Sequence, residues 1–114
     1  GFVLPVPEEN IKLYQSIAKK AGKIWKEHGA LEYIEAIGDD LENNRGVPFT
    51  KAVKLKPGEV PFFSFIVFKS RADRDKVNKK VMSDPRLNKM MEIGAMPFEV
   101  KRMVYGGFKV LVDI

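Results

Sequence analysis

The chain contains no cysteine and only one histidine, His28, among its 114 residues. Without cysteine it can form no disulfide, offers no thiol nucleophile and cannot bind zinc through thiolates. A single histidine also excludes a multi-histidine site within one subunit. No apolar run approaches the ~18 residues of a membrane span, and no signal peptide is visible. We therefore expect a cytoplasmic protein that does not enter a membrane.

Motifs that carry chemistry are also missing. The sequence has no Ser/His/Asp set, no phosphate-binding glycine loop and no spaced cluster of metal ligands. We accordingly expect no metal and no cofactor. The residues leave open whether the protein is an enzyme.

What the sequence does contain is an ordinary globular mixture, 45% apolar and 31% charged, in a length that suits one domain spanning residues 1–114. The net charge of +5 is uneven, because residues 69–114 carry eleven basic and six acidic side chains. This basic segment could bind RNA or an acidic partner, although lysines are most often solvated surface residues.

A long amphipathic helix is predicted after the strand at 2–7. Apolar side chains recur every three or four residues for about five turns, at Ile11, Tyr14, Ile17, Ala18, Ala21, Ile24 and Trp25. Gly29 supplies the stop, and His28 suits the negative end of the helix. Tyr14 and Trp25 lie on the buried stripe and are interpreted as core residues.

Further elements follow in a regular order. Strands are predicted at 30–37, 62–68 and 98–112, with a weaker candidate at 49–55. Helices are predicted at 70–82, where Ser70 and Asp73 resemble a capping box, and at 83–94, with Asp84 as cap and Gly94 as stop. The order predicts an α+β fold: a ferredoxin-like split βαβ sandwich, with an antiparallel sheet and its helices on one face.

Two of these strands are apolar on both sides. In the last strand, one side carries Phe98, Val100, Val104, Phe108, Val110 and Val112, and the other carries Met103, Tyr105 and Leu111. Helices on one face cannot cover the second apolar face, and such a face is unstable in water. We therefore predict an obligate homodimer in which two sheets pack around a two-fold axis.

Arg102 is the first candidate for a functional side chain, because its predicted strand register places it among valines and phenylalanines. A buried arginine needs a partner. That partner is either an internal acid, such as Glu35 or an acid of a second subunit, or a ligand carboxylate or phosphate held in a bidentate way.

Four other residues complete the candidate ligand-binding set. Glu35 and Tyr33 share one face of the strand at 30–37, so Glu35 is either the partner of Arg102 or an acid in a cavity. Tyr105 could donate a hydrogen bond into a cavity, or lie in the core. His28 could act as a base or ligand, or simply stabilise its helix end.

Several stretches resemble the YbaA-like bacterial proteins, a domain-of-unknown-function family: "GFVLPVP" (1–7), "HGALEYIE" (28–35), "RADRDKVNKKVMSDPR" (71–86), "MSDPRL" (82–87) and "MPFEVKRMVYGGF" (96–108). The resemblance implies a place in the dimeric α/β-barrel superfamily, in agreement with the predicted dimer. That superfamily includes cofactor-free monooxygenases, haem enzymes, isomerases and binding proteins, so the fold does not decide the function. The resemblance supplies no catalytic residue.

The leading hypothesis is a homodimer that binds, and could transform, a small organic molecule in a cavity of the barrel. The alternative is an RNA-binding dimer that uses the basic helical region 70–89. Gly106 and Gly107 should lie beside the first strand, where they suggest a bulge or a close backbone approach.

Overall fold

The computed structural model describes residues 1–92 and 96–114. Its strands are β1 (Phe2–Pro7), β2 (Glu32–Ile37), β3 (Glu59–Val67) and β4 (Val104–Tyr105), and its helices are α1 (Ile11–His28), α2 (Phe49–Ala52), α3 (Arg71–Met82) and α4 (Pro85–Glu92). Two 3-10 turns cover Glu8–Asn10 and Val100–Arg102.

The four strands form one antiparallel sheet in the order β2-β3-β1-β4. Val3 lies opposite Phe63 on one side and opposite Val104 on the other. The α+β class and the antiparallel sheet are thereby confirmed, as is the prediction that the first and last strands are neighbours. Strand β2 is left at one edge of the sheet and β4 at the other.

The core lies between α1 and one face of the sheet. Leu4, Val6 and Phe62 from the strands pack with Tyr14 and Ala18 from α1, all at most 7% exposed. A second buried cluster joins α1 to α3 and α4, and consists of Ala21, Ile24, Val77, Val81 and Leu87. The three-to-four spacing of the α1 stripe thus matches its buried residues, as predicted.

The helix ends follow the sequence signals where the structure describes them. Gly29 follows α1 with a φ of 121°, which favours glycine. The Ser70 Oγ accepts the backbone N–H of Asp73 at 3.0 Å, and an oxygen of Asp84 accepts that of Arg86 at 2.8 Å. The predicted stop at Gly94 lies outside the described residues.

The segment 49–55 is not a strand. Its first four residues form the short helix α2, in which the Pro48 carbonyl accepts the backbone N–H groups of Lys51 and Ala52. The Phe49 ring packs edge-on against Phe63 with centroids 6.1 Å apart. Because side chains alternate along a strand, Phe63 faces away from the core residue Phe62, so α2 lies on the sheet face opposite α1.

The predicted long strand at 98–112 is also wrong. Residues Val100–Arg102 form a 3-10 turn, and only Val104–Tyr105 pair with β1 as a strand. A strand needs a neighbour with free backbone groups, and within the described chain β4 runs beside only the first residues of β1. Arg102 therefore does not share a strand face with Val100 and Val104.

The two glycines near the end of the chain do not form the suggested bulge. Gly106 continues the regular pairing, since its N–H donates to the Gly1 carbonyl at 3.2 Å and its carbonyl accepts the Gly1 amino group at 2.8 Å. Gly107 lies near a side chain rather than another backbone: a Cβ there would lie 2.7 Å from Nη1, at the flexible end of Arg74. The chain then leaves the sheet.

The sheet face opposite α1 is only partly covered. Ile34, Phe63 and Val104 are 41–54% exposed on three different strands. None of the helices in the described ranges is long and apolar enough to cross a membrane.

Candidate functional site

A carboxylate held by two phenols joins α1 to β2. The Tyr14 hydroxyl donates to Oε2 of Glu35 at 2.7 Å, and the Tyr33 hydroxyl donates to Oε1 at 3.1 Å. Both oxygens of the carboxylate therefore have a donor. The sequence predicted that Tyr33 and Glu35 share a face of this strand, and the structure places both on the side of β2 that faces α1.

Gly22 allows the Tyr33 ring to lie against the helix. A Cβ at this position would lie 2.6 Å from Cδ1 of Tyr33, well inside van der Waals contact. The Trp25 ring packs at 6.0 Å from the Tyr33 ring, and its indole N–H donates to Asn78 of α3 at 3.1 Å. A helix glycine and a tethered indole thus position the Tyr33 hydroxyl.

Burial and the neighbouring carboxylate keep both phenols protonated. Burial raises the pKa of Tyr14 well above its usual range, and the hydrogen bond to Glu35 adds to the effect. Burial likewise raises the pKa of Tyr33, and the negative charge of Glu35 contributes further. At neutral pH the two hydroxyl groups can therefore act only as neutral donors or acceptors, and not as tyrosinate bases.

An open groove with a volume of about 1050 Å³ lies between α1 and β2. Its floor includes the side chains of Tyr14, Tyr33 and Glu35. Ala18 and Phe62 add apolar surface to it, and Ile37 of the edge strand also lines it. Along its length α1 contributes a basic rim: Lys19, Lys23 and Lys26 all line the groove. The acids Glu27 and Glu32 also line it. The groove therefore combines a polar anchor, apolar walls and charged side chains of both signs, with the lysines grouped on α1.

A smaller hollow, of about 300 Å³, lies on the other side of the sheet. Phe49, Phe63 and Val3 supply its apolar lining, and Asp39 and Asp40 stand at one side. It occupies part of the face that α2 leaves uncovered.

His28 lies away from the groove, in an ion-pair network between α1 and α4. Its Nε2 is 2.8 Å from Oδ2 of Asp84, which is 8% exposed. Arg86 contacts the same carboxylate at 2.9 Å and also reaches Glu27 at 2.6 Å. The hydrogen bonds from Arg86, followed by that from His28, hold the pKa of Asp84 well below its usual range. The network ties the end of α1 to the start of α4.

Arg102 makes an internal ion pair, with Glu59 rather than Glu35. The guanidinium donates to the two Glu59 oxygens at 2.6 and 2.8 Å and to the Lys54 carbonyl at 2.8 Å. Lys54 has a φ of 51°, in the left-handed region, so the contact fastens an unusual turn. The hydrogen bonds from Arg102 lower the pKa of Glu59. Anchoring of a ligand by Arg102 stays a prediction.

Tyr105 lies at the opposite edge of the sheet from Glu35. Its side chain is 71% exposed and stacks on Phe2 with ring centroids 6.2 Å apart. The structure thus brings together Tyr33 and Glu35 of the five predicted site residues, and separates His28, Arg102 and Tyr105 from them.

The basic region 70–89 presents exposed lysines on α3 at Lys76, Lys79 and Lys80. Two of its arginines already contact acids, because Arg74 lies 2.8 Å from Asp75 and Arg86 pairs with Asp84. These pairs neutralise part of the surface that would bind phosphates. RNA binding stays a prediction.

Sequence reasoning missed three features of the groove. Tyr14 is in the core as predicted, but its hydroxyl reaches Glu35, which helical periodicity cannot reveal. Gly22 could have been noticed in the sequence, since a glycine within a strong helical pattern often marks a place where another group packs closely against the helix. The basic rim was also readable, because Lys19, Lys23 and Lys26 recur with helical spacing.

Comparison with known proteins adds the family. A family model described as "Protein of unknown function (DUF1428)" matches residues 1–100. The chain belongs to this family. It is 41% identical over 113 residues to the "Uncharacterized protein YbaA" of Escherichia coli (strain K12). The matched residues cover 99% of this chain and 95% of the relative. The YbaA of Shigella flexneri matches with the same identity and coverage. The predicted resemblance to YbaA-like proteins is confirmed.

Proposed function

We propose that this DUF1428 protein is a homodimer that binds a small anionic organic molecule in the groove between α1 and β2. The observation that carries the proposal is the Glu35 carboxylate, held by the Tyr14 and Tyr33 hydroxyl groups at 2.7 and 3.1 Å on the floor of that groove. A preorganised polar group in a mostly apolar groove is the usual form of a small-molecule site.

The floor favours a ligand that donates a hydrogen bond. Each carboxylate oxygen has two lone pairs, so Glu35 can accept a further hydroxyl or amine proton after it accepts from the phenols. The phenols hold the carboxylate in one orientation, which reduces the entropy lost when a ligand binds. The proposal therefore concerns binding, and Glu35 would orient the ligand.

The rim favours a ligand with negative charge. Lys19 and Lys23 lie along one side of the groove and are exposed, so their ammonium groups can turn toward a carboxylate or phosphate. Lys26 already donates to the Leu31 carbonyl at 2.6 Å. Of the acids that also line the groove, Glu27 is engaged by Arg86 at 2.6 Å, and Glu32 belongs to the strand side. The apolar walls, with Ala18, Phe62 and Ile37, suit a flat or branched hydrocarbon body. An aromatic or branched carboxylic acid with a hydroxyl or amine substituent has all three features.

The dimer part of the proposal rests on the uncovered sheet face. The strand order β2-β3-β1-β4 with α1 packed on one face fits a ferredoxin-like half of a dimeric α/β barrel. Ile34, Phe63 and Val104 present exposed apolar surface on the opposite face. A second copy packed face to face would bury these side chains without any new chemistry.

Binding can be read through the single tryptophan. Trp25 lies 6.0 Å from the Tyr33 ring, so a ligand on the groove floor should change its fluorescence. We expect members of a panel of aromatic carboxylates and quinones to change Trp25 emission and raise Tm. Glu35→Gln and Lys23→Gln should each weaken binding about tenfold, the effect of losing ~1.4 kcal/mol of contact energy.

The matched control is Lys76→Gln, which removes the same charge from an exposed position on α3 and should leave binding unchanged. The proposal of a binding groove fails if no compound changes fluorescence or Tm at millimolar concentration. It also fails if Lys76→Gln weakens binding as much as Lys23→Gln does. The dimer is tested separately: analytical ultracentrifugation at micromolar concentration should give twice the 12.9 kDa chain mass.

A further inference from the structure

The last eight residues, 107–114, form an arm with exposed apolar side chains. Phe108, Val110, Leu111, Val112 and Ile114 are each at least 68% exposed. The arm contains no turn or bend, and the hydrogen bonds found in the described chain stop at Gly106. Five large apolar side chains in eight residues would be unfavourable if water covered them permanently.

The sequence of the arm has strand character. Phe108, Val110, Val112 and Ile114 alternate with Lys109, Leu111 and Asp113, so an extended arm would carry one fully apolar side. Branched and aromatic residues favour a pleated strand. What the arm lacks is a neighbouring strand.

Strand β2, at the opposite edge of the sheet, could supply the neighbouring strand. Among the described residues, strand β2 pairs with β3 on one side, and no strand of that part of the chain pairs with its other side. Free strand edges carry unpaired N–H and C=O groups that readily accept another strand. Ile34, Ile37 and Leu31 along this edge are 41–51% exposed. The edge therefore has both the backbone groups and the apolar surface that the arm needs.

Within one chain the arm could not form a full ladder with this edge, because crossing the sheet would use about half of its eight residues at ~3.3 Å per residue. The arm continues from β4, and three strand spacings of about 4.8 Å separate β4 from β2 in the order β2-β3-β1-β4. We propose that the arm of one copy adds as a strand to the β2 edge of a second copy, and that the exchange is reciprocal.

Several features favour the arm of a second copy as the strand that pairs with the β2 edge. Six residues of β2 match the length of the eight-residue arm, so the pair could form a complete ladder. The arm carries Lys109 and Asp113, so its side chains have no net charge that would repel the acids Glu32, Asp39 and Asp40 near this edge. A reciprocal exchange closes around a two-fold axis and leaves neither β2 edge free.

The exchange would also complete the groove. Because Glu35 and Ile37 of β2 line the groove, a strand added to the β2 edge would lie beside it. Each binding site would then contain residues of both copies. This consequence rests on the proposed function, whereas the exchange itself can be tested without any ligand.

The absence of cysteine makes the test direct. Lys109→Cys gives a unique thiol in the arm and keeps its apolar side chains, so it can carry benzophenone maleimide. After illumination of a mixture of ¹⁴N- and ¹⁵N-labelled chains, mass spectrometry should find crosslinks to residues 31–37 that join a light and a heavy chain. Lys76→Cys, labelled in the same way on α3, should give no crosslink to residues 31–37.

A second variant tests the energy of the exchange in the full chain. Val110→Asp places a charge on the apolar side of the arm and should raise the dimer dissociation constant at least tenfold, whereas Lys76→Asp should leave it unchanged. Circular dichroism checks that both variants remain folded.

The possible outcomes separate the two proposals. A monomer at micromolar concentration overturns both the dimer and the exchange. A stable dimer whose arm crosslinks within its own chain, to a second arm or to a different surface overturns the exchange alone, as does an unchanged dissociation constant for Val110→Asp.

Discussion

The Tyr14 hydroxyl and the Glu35 carboxylate meet at 2.7 Å across the interface of α1 with β2. Because Tyr14 is 6% exposed, its hydroxyl has little access to water once this partner is lost. The contact therefore connects the packing of the helix on the sheet to the floor of the proposed binding groove.

We expect Tyr14→Phe to lower the free energy of unfolding by about 1.5–3 kcal/mol, the range for a hydrogen bond to a charged group. Urea denaturation followed by circular dichroism measures the change. Tyr105→Phe is the matched control, since its side chain is 71% exposed and its loss should change stability by less than about 0.5 kcal/mol. Equal effects of the two substitutions would contradict a special role for the Tyr14–Glu35 contact.

Gly22→Ala should destabilise the protein although it places a better helix former in α1. Glycine to alanine inside a helix normally stabilises by up to ~1 kcal/mol. Here the new Cβ would lie 2.6 Å from the Tyr33 ring, and displacing that ring should cost about 1–3 kcal/mol.

A double-mutant cycle separates the two effects of Gly22→Ala. In a Tyr33→Ala background the obstructing ring is absent, so Gly22→Ala should become stabilising. Denaturant midpoints of the four proteins give the coupling. A Gly22→Ala effect of the same sign and size in both backgrounds would show that the Tyr33 ring does not limit this position.

Much of the sheet and its main helix could be predicted, because their patterns are local. The α1 stripe and the alternation of β2 depend on residues two to four positions apart, and the structure agrees with both. The final strand could not be predicted in the same way. Its apolar alternation is real, but pairing depends on whether another strand lies alongside, and that information lies outside the segment.

The site was predicted only in part for a similar reason. Tyr33 and Glu35 share a face through simple alternation, so they were found together. The partner of Arg102 is Glu59, a residue 43 positions earlier in the chain, and the 3-10 turn that brings the two together breaks the assumed strand register. Long-range pairing of this kind leaves no periodic trace in the sequence.

Arg102→Lys should lower Tm by several degrees, because a lysine cannot reproduce the two-pronged contact with Glu59 or reach the Lys54 carbonyl at the same time. Hydrogen exchange should also become faster in the turn at residues 54–59, which Arg102 fastens. Lys101→Ala, at an exposed neighbouring position, is the control. Unchanged exchange in that turn would show that the ion pair does not hold it.

The Asp84 network should make stability depend on pH in the acid range. Hydrogen bonds from Arg86 and then His28 lower the pKa of Asp84 in the folded chain, whereas an unfolded aspartate has a pKa of about 3.9. The stabilisation is therefore present above pH ~4 and is lost as the pH falls toward the lower folded-state pKa. Glu27 and Glu59, whose pKa values are also lowered, contribute in the same direction.

The Asp84→Asn substitution isolates the contribution of Asp84 to this pH dependence of stability. The variant should be less stable than the native chain at pH 7, and the difference should shrink between pH ~5 and ~2, because the native carboxyl group then loses its charge as well. Urea midpoints at pH 7, 5, 3 and 2 measure the difference. Asp75→Asn, whose carboxylate is 63% exposed beside Arg74, should cost little at any of these pH values, because exposed ion pairs stabilise weakly. A difference for Asp84→Asn that stays constant with pH would mean that the network stabilises through packing and the shape of its hydrogen bonds rather than through the charge on Asp84.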